Sequence, residues 1–213
     1  MHRLILRFRL YCPDSSIDKV LLPAGASAFS WLVDDDLNGT DMKRLTLIRH
    51  AKSSWKDPEC ADFDRPLAKR GKNDALIMGR RLAERGENPS LILSSPAKRA
   101  LSTMRRIVSA MGPDKSIVPE VRLYHADYRD LLGLIGEIED VHGDVVLCGH
   151  NPELTDFCNF VADRQIENLP TCGVVSLDFS VESWKDIGRA TGKIRYTDCL
   201  KNIRFVGNAH PDL

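Results

Sequence analysis

No stretch of this chain approaches the roughly 18 consecutive apolar residues that a membrane-spanning helix needs, which excludes a helical membrane span. There is no excess charge of one sign either: 30 Lys and Arg face 30 Asp and Glu. A general nucleic-acid binder or a binder of anionic membranes needs a basic surplus, so neither partner is expected. The same balance, with 43% hydrophobic residues, excludes a disordered polyanion or polycation. The six cysteines (12, 60, 148, 158, 172 and 199) include no C-x-x-C pair and no zinc-like spacing. A disulfide framework is therefore not expected. Cys148 and Cys158 sit in apolar runs and read as buried, reduced thiols, which points to a reducing and hence cytoplasmic setting. Internal repeats and low-complexity tracts are also missing.

What remains is 213 residues of ordinary globular composition, enough for one domain with an appendage. The appendage is the N-terminus. Met1 to Leu10 mixes Arg3, Arg7 and Arg9 with apolar residues, and the first acid is Asp14. Arginine interrupts the apolar run too often for a signal-peptide core. Residues 11–41 hold no lasting periodicity. They read as a poorly ordered N-terminal extension, with an organellar transit peptide as the alternative. The domain proper is expected over 42–213.

From Met42 the pattern alternates between strand and helix. Leu45–Ile48, Leu91–Leu93 and Val145–Cys148 are short apolar runs of the kind that forms buried parallel strands. Ile117–Val121 is expected as a further strand. Helical stripes run from Leu67 to Arg85, with Gly86 as the stop, and from Pro96, with Ser95 as the expected N-cap, to Met111. Two more follow, through Leu131 to Val141 and from Asn151-Pro152 to Val161. After Pro170, Val175, Leu177 and Phe179 alternate with Ser176 and Asp178, as in a half-exposed antiparallel strand, and Lys193–Thr197 is its expected partner. The architecture is a three-layer α/β/α sandwich on a mostly parallel sheet with an antiparallel edge.

Ligands of open α/β sheets bind beyond the carboxyl ends of the strands. Three strand ends carry conspicuous groups here: Arg49-His50, Ser94-Ser95-Pro96 and Gly149-His150. Arg99 lies in the first turn of the helix after Pro96, and helical side chains tilt toward the N-terminus, so it faces the same edge. Two arginines and two histidines without a carboxylate disfavour a metal centre and suit a phosphoryl dianion. Neutral histidine can attack phosphorus. Taken singly, an edge arginine and a core histidine are the plainer readings; their shared topological place favours a site.

The strings LTLIRHAKSSW (45–55), DFDRPLAKRG (62–71), SSPAKRALST (94–103) and LCGHNPEL (147–154) together resemble the histidine phosphatase superfamily. The likeness extends through LPTCGVVSLDF (169–179), and its nearest branch is the small phosphohistidine phosphatase (SixA-type) group. The resemblance implies a phosphoglycerate-mutase-like fold and a phosphatase without metal or cofactor. It makes His50 the nucleophile, with Arg49, Arg99 and His150 as phosphate ligands. Arg65 either helps to hold phosphate or anchors a loop. Ester-cleaving relatives carry a Glu in an L-x-E string where this chain has Leu123-Tyr124-His125. His125 or Asp127 could stand in as the acid, or the role is vacant, with His125 then a polar loop residue at the substrate's edge. The expected substrate is phosphohistidine in a protein. Small phosphate esters such as phosphosugars are the alternative, and a catalytically silent phosphate-binding module is the third reading.

Overall fold

Four strands lie parallel: β1 (Lys43–Arg49), β2 (Leu91–Ser94), β3 (Val118–Pro119) and β4 (Asp144–Gly149). β5 (Val174–Phe179) runs antiparallel beside β1, and β6 (Gly192–Asp198) antiparallel beside β5, giving the order β3-β2-β4-β1-β5-β6. The computed structural model describes residues 42–112, 115–200 and 203–206. The expectations for residues 1–41 lie outside the described residues. Among the described residues no helix is long and apolar enough to cross a membrane.

The period-2 alternation of strand side chains sorts the core into two layers. Ile48, Ile92, Val146 and Val174 face α1 (Lys69–Glu84) and α2 (Lys98–Met111). Leu45, Leu47, Val145, Leu147, Val175 and Leu177 face α3 (Tyr128–Gly136) and α4 (Glu153–Val161). The three-layer sandwich is therefore the observed architecture. Two glycines let α1 approach closely. A Cβ on Gly71 would stand 2.2 Å from the Lys52 carbonyl oxygen, and one on Gly79 would stand 2.6 Å from that of Ile107. Gly71 thus seats α1 against the chain just past His50.

Several expected boundaries move, each for a local reason. The strand expected over Ile117–Val121 shrinks to Val118–Pro119, because Pro119 offers no N–H and Val121 is left exposed. α2 begins after Ala97 rather than at Pro96, and Ser95 is not its N-cap. α4 begins at Glu153, and the Asn151 amide reaches Thr155, Asn168 and the Leu169 carbonyl instead of capping. α3 stops at Gly136, so Val141 lies in an exposed turn. α1 starts at Lys69, and Gly86 follows it at φ 74°, the left-handed stop that glycine allows. β5 is buried on both faces rather than half exposed. The Ser176 hydroxyl lies 3.1 Å from that of Thr46, a buried pair that satisfies both.

Candidate active site

The parallel register pairs Arg49 of β1 with Gly149 of β4, so the next residue of each strand, His50 and His150, emerges at the same sheet edge. Their ring centroids are 5.1 Å apart. The His50 backbone N–H donates to the Gly149 carbonyl at 3.1 Å, and the Ala51 N–H donates to Thr103 Oγ1 at 2.9 Å. The nucleophile candidate is thus clamped between the sheet and α2.

His50 Nδ1 lies 2.9 Å from its neighbour's carbonyl, that of Ala51. A carbonyl only accepts, so Nδ1 carries the proton and Nε2 the lone pair. Burial pushes the imidazole pKa down, the Ala51 hydrogen bond opposes this, and Arg99, Arg49 and Arg65 push it down again, to about 4. Such a ring is neutral at physiological pH.

His150 is held by Ser95, whose Oγ lies 2.8 Å from Nε2. The same oxygen accepts the Ala97 N–H at 3.3 Å and keeps its own proton, which goes to Nε2 in the Nδ1–H tautomer of His150. Nδ1 is then the protonated nitrogen, and it is buried without a protein partner. A buried donor left alone suits an incoming anion's oxygen. Burial, then His50 and Arg99, push the His150 pKa down to about 3.

Arg49 donates from Nη1 to the Leu169 carbonyl at 2.8 Å, while its Nε is buried and unpaired. Burial lowers its pKa, with Glu153 opposing. Arg99 and Arg65 both converge on Asp62, a residue of the 3-10 turn Asp62–Asp64. Asp62 Oδ1 meets Arg65 Nη1 at 2.6 Å, and Oδ2 meets Arg99 Nη2 at 2.9 Å. The Tyr124 hydroxyl donates to Oδ2 at 3.1 Å. The sequence-based expectation that no carboxylate belongs to the cluster is therefore corrected. Its signal was available, since Asp62 stands three residues before Arg65. Three guanidiniums and one carboxylate leave two positive charges around two neutral histidines, which matches a phosphoryl dianion.

Residues 45–154 match the family described as the histidine phosphatase superfamily (branch 1). The chain belongs to this superfamily. An uncharacterised chloroplastic protein of Arabidopsis thaliana is 30% identical over 159 residues, covering 70% of this chain and 72% of that one. A solved structure of a putative phosphohistidine phosphatase SixA from Agrobacterium tumefaciens superposes with a TM-score of 0.62 at 27% identity, over 74% of this chain and 98% of that one. A mycobacterial glucosyl-3-phosphoglycerate phosphatase shares the fold at 15% identity and a TM-score of 0.51, over 70% of this chain and 99% of that one. The two solved structures and this chain share the phosphoglycerate-mutase-like fold.

The other residues singled out from the sequence take distinct places in this histidine phosphatase domain. Arg65 anchors a loop and also faces the cluster. It donates to Ser53 Oγ and to the Ser54 carbonyl, and its guanidinium stacks 3.2 Å over the exposed Trp55 ring. His125 is exposed at the site's edge, with its ring 4.0 Å from that of Tyr124 and a left-handed φ of 65°. Asp127 does not join the site, and the expectation that it could serve as the acid is corrected. Its carboxylate caps α3, accepting the Arg129 and Asp130 N–H groups, which hold it below the usual carboxylate range. Beside Tyr124 and His125 lies a cavity of about 470 Å³ that Arg129 and Glu137 also line. Thr103 and the Leu169 carbonyl carry no signal in the sequence, and Ser95, expected as a helix cap, holds His150 instead. Among the described residues no group of three or more His, Cys, Asp and Glu gathers that could hold a metal.

The buried histidines set a pH dependence of stability. Unfolded imidazoles take up protons near pH 6.5, whereas the folded rings wait until about 4 for His50 and about 3 for His150. Below pH 6.5 the unfolded state therefore binds more protons, and stability falls on acidification through that window. At about pH 4.5 each histidine should cost about 2–3 kcal/mol relative to pH 7.5. Urea unfolding at both pH values checks this. The double substitution of His50 and His150 by Ala should lose less stability on acidification than the wild type; equal losses would refute the assignment.

Proposed function

We propose that this protein is a metal-independent phosphatase that works through a phosphorylated His50 and takes phosphohistidine in proteins as its substrate. The observation that carries the reading is the His50 ring. It is neutral, its Nδ1 proton is engaged by the Ala51 carbonyl, and Nε2 is left as the lone pair. Nε2 attacks phosphorus in line. Arg49, Arg99 and the Nδ1–H of His150 hold the equatorial oxygens as charge redistributes, which is the electrostatic share of catalysis. Arg65 adds positive charge beside them. Water then attacks phospho-His50, the P–N bond breaks with its electron pair returning to Nε2, and inorganic phosphate leaves.

The leaving group argues for phosphohistidine. An ordinary ester expels an alkoxide, whose alcohol has a pKa of about 16, and so profits from a positioned acid. The position where ester-cleaving relatives carry Glu holds His125, which is exposed beside Tyr124. An imidazole leaves with far less help. The buried thiols Cys148, Cys158 and Cys172 suit a reducing compartment, the cytoplasm or an organelle reached through residues 1–41.

Turnover of a phosphohistidine protein, a sugar phosphate and p-nitrophenyl phosphate, with and without EDTA, tests the reading. The phosphohistidine protein should be preferred over the sugar phosphate by about 10²–10⁴ in kcat/KM, the range that general acid catalysis supplies. EDTA should change nothing. Comparable efficiency on both natural substrate types would overturn the preference, and loss of activity restored by zinc or magnesium would overturn the metal-independent mechanism.

A further inference from the structure

We propose that Asp62 selects the leaving group, accepting an N–H from a protonated nitrogen leaving group and turning away substrates whose remainder is anionic. This rests on the phosphohistidine reading above and deepens it.

The geometry of in-line displacement supplies the first step. The leaving atom must stand opposite His50 Nε2, and His50, His150, Arg65 and Arg99 are all buried. The Asp62 side chain, by contrast, is 47% exposed, while the Arg65 and Arg99 side chains it holds are each 8% exposed. The leaving group therefore departs through the open side of the cluster, past this carboxylate and the half-buried Tyr124 ring.

Acceptor capacity supplies the second step. Oδ2 takes donors from both Arg99 and Tyr124, whereas Oδ1 takes one, from Arg65. A carboxylate oxygen has two acceptor sites, so Oδ1 keeps one for a ligand. The carboxylate is ionised at working pH. Burial raises its pKa, but Arg99, the Tyr124 hydroxyl and the Arg65 contact outweigh that and bring it below the ordinary range. An ionised carboxylate cannot act as the proton donor that an alkoxide needs, and its charge repels a carboxylate or second phosphate on the substrate.

For a protonated phosphohistidine the step balances without any proton transfer. His50 Nε2 forms the new N–P bond as the substrate's N–P bond breaks, with the electron pair returning to the leaving nitrogen. The substrate ring arrives as an imidazolium, donates a hydrogen bond from its distal N–H to Asp62 Oδ1, keeps that proton, and departs as neutral imidazole. The positive charge appears instead on phospho-His50, where the Nδ1–H donated to the Ala51 carbonyl stabilises it. Asp62 thus favours the protonated, reactive form of the substrate. The charged groups facing it are Arg65 on its own loop and Arg99 from α2, the neutral Tyr124 hydroxyl also faces it, and its charge acts on His150.

The test compares the wild type with Asp62→Asn and Asp62→Glu on three probes: phosphoimidazole, p-nitrophenyl phosphate and phosphoglycolate, whose remainder is a carboxylate. In Asp62→Asn the ratio of kcat/KM for phosphoimidazole to that for p-nitrophenyl phosphate should fall about 10- to 100-fold, the range of a charge-assisted hydrogen bond. The ratio for phosphoglycolate to p-nitrophenyl phosphate should rise. Asp62→Glu restores the charge and should keep the preference for phosphoimidazole at a lower rate. Equal losses on all three probes would reduce Asp62 to a support for its arginines, and equal gains would make it a placeholder displaced by phosphate; either result overturns the proposal. Failure of the wild type to transfer phosphoryl from p-nitrophenyl phosphate to His50 would overturn the underlying phosphatase reading instead.

Discussion

His50→Ala should abolish turnover, with kcat falling by about 10⁴-fold or more on every substrate and no phosphoenzyme trapped on rapid quench. The loss is large because no neighbour can replace the nucleophile. His150 presents its Nε2 to Ser95, and the remaining groups of the cluster are cations, the Asp62 carboxylate and the Tyr124 hydroxyl that donates to it. The fold should survive, since the side chain contributes one hydrogen bond, to Ala51, worth about 1 kcal/mol net. Substrate binding should weaken little, because the arginines remain. Quench-flow with a labelled substrate and circular dichroism of the variant check both halves. Wild-type activity in His50→Ala would show that another group attacks phosphorus.

Arg99→Ala should lower kcat by about 10²–10³, the usual consequence of removing one preorganised donor from developing charge. Two effects combine. The guanidinium leaves the phosphoryl oxygens, and Asp62 loses the partner that holds both its carbonyl and its Oδ2, so the carboxylate is free to swing on its Arg65 anchor. Arg99→Lys should recover only part of the rate, because one ammonium cannot span two acceptors as the fork does. The acid limb of the pH profile should also move. Arg99 helps to push the His50 pKa down to about 4, so without it His50 takes a proton at higher pH and activity is lost earlier on acidification. Rates within threefold of the wild type would exclude Arg99 from the site.

How much of this was legible in the chain depends on range. Strands β1, β2 and β4 announced themselves as apolar runs; β1 and β4 carry candidate site residues directly at their ends, and β2 leads through Ser95 into the first turn of α2, where Arg99 lies. Arg49, His50, Arg99 and His150 were legible for that reason. Strand β5 was visible as alternation, yet its burial on both faces was not, since alternation reports polarity and Ser176 is polar but buried against Thr46.

Sequence by itself determined the layered α/β class, the place of the candidate site residues at the strand tips and membership of the histidine phosphatase superfamily, all properties written in local periodicity and short motifs. Tertiary structure alone decided which groups meet. Asp62 stands 37 residues from Arg99 and 62 from Tyr124, and Arg49 finds its carbonyl partner 120 residues away at Leu169. Ser95 reads locally as a helix cap, but it closes on His150, 55 residues on, because β2 and β4 pair in parallel and bring their tips together. Local preference sets where an element begins to within a turn; a hydrogen bond to a buried side chain outweighs it, since leaving that group unpaired costs about 1–3 kcal/mol, more than a shifted cap.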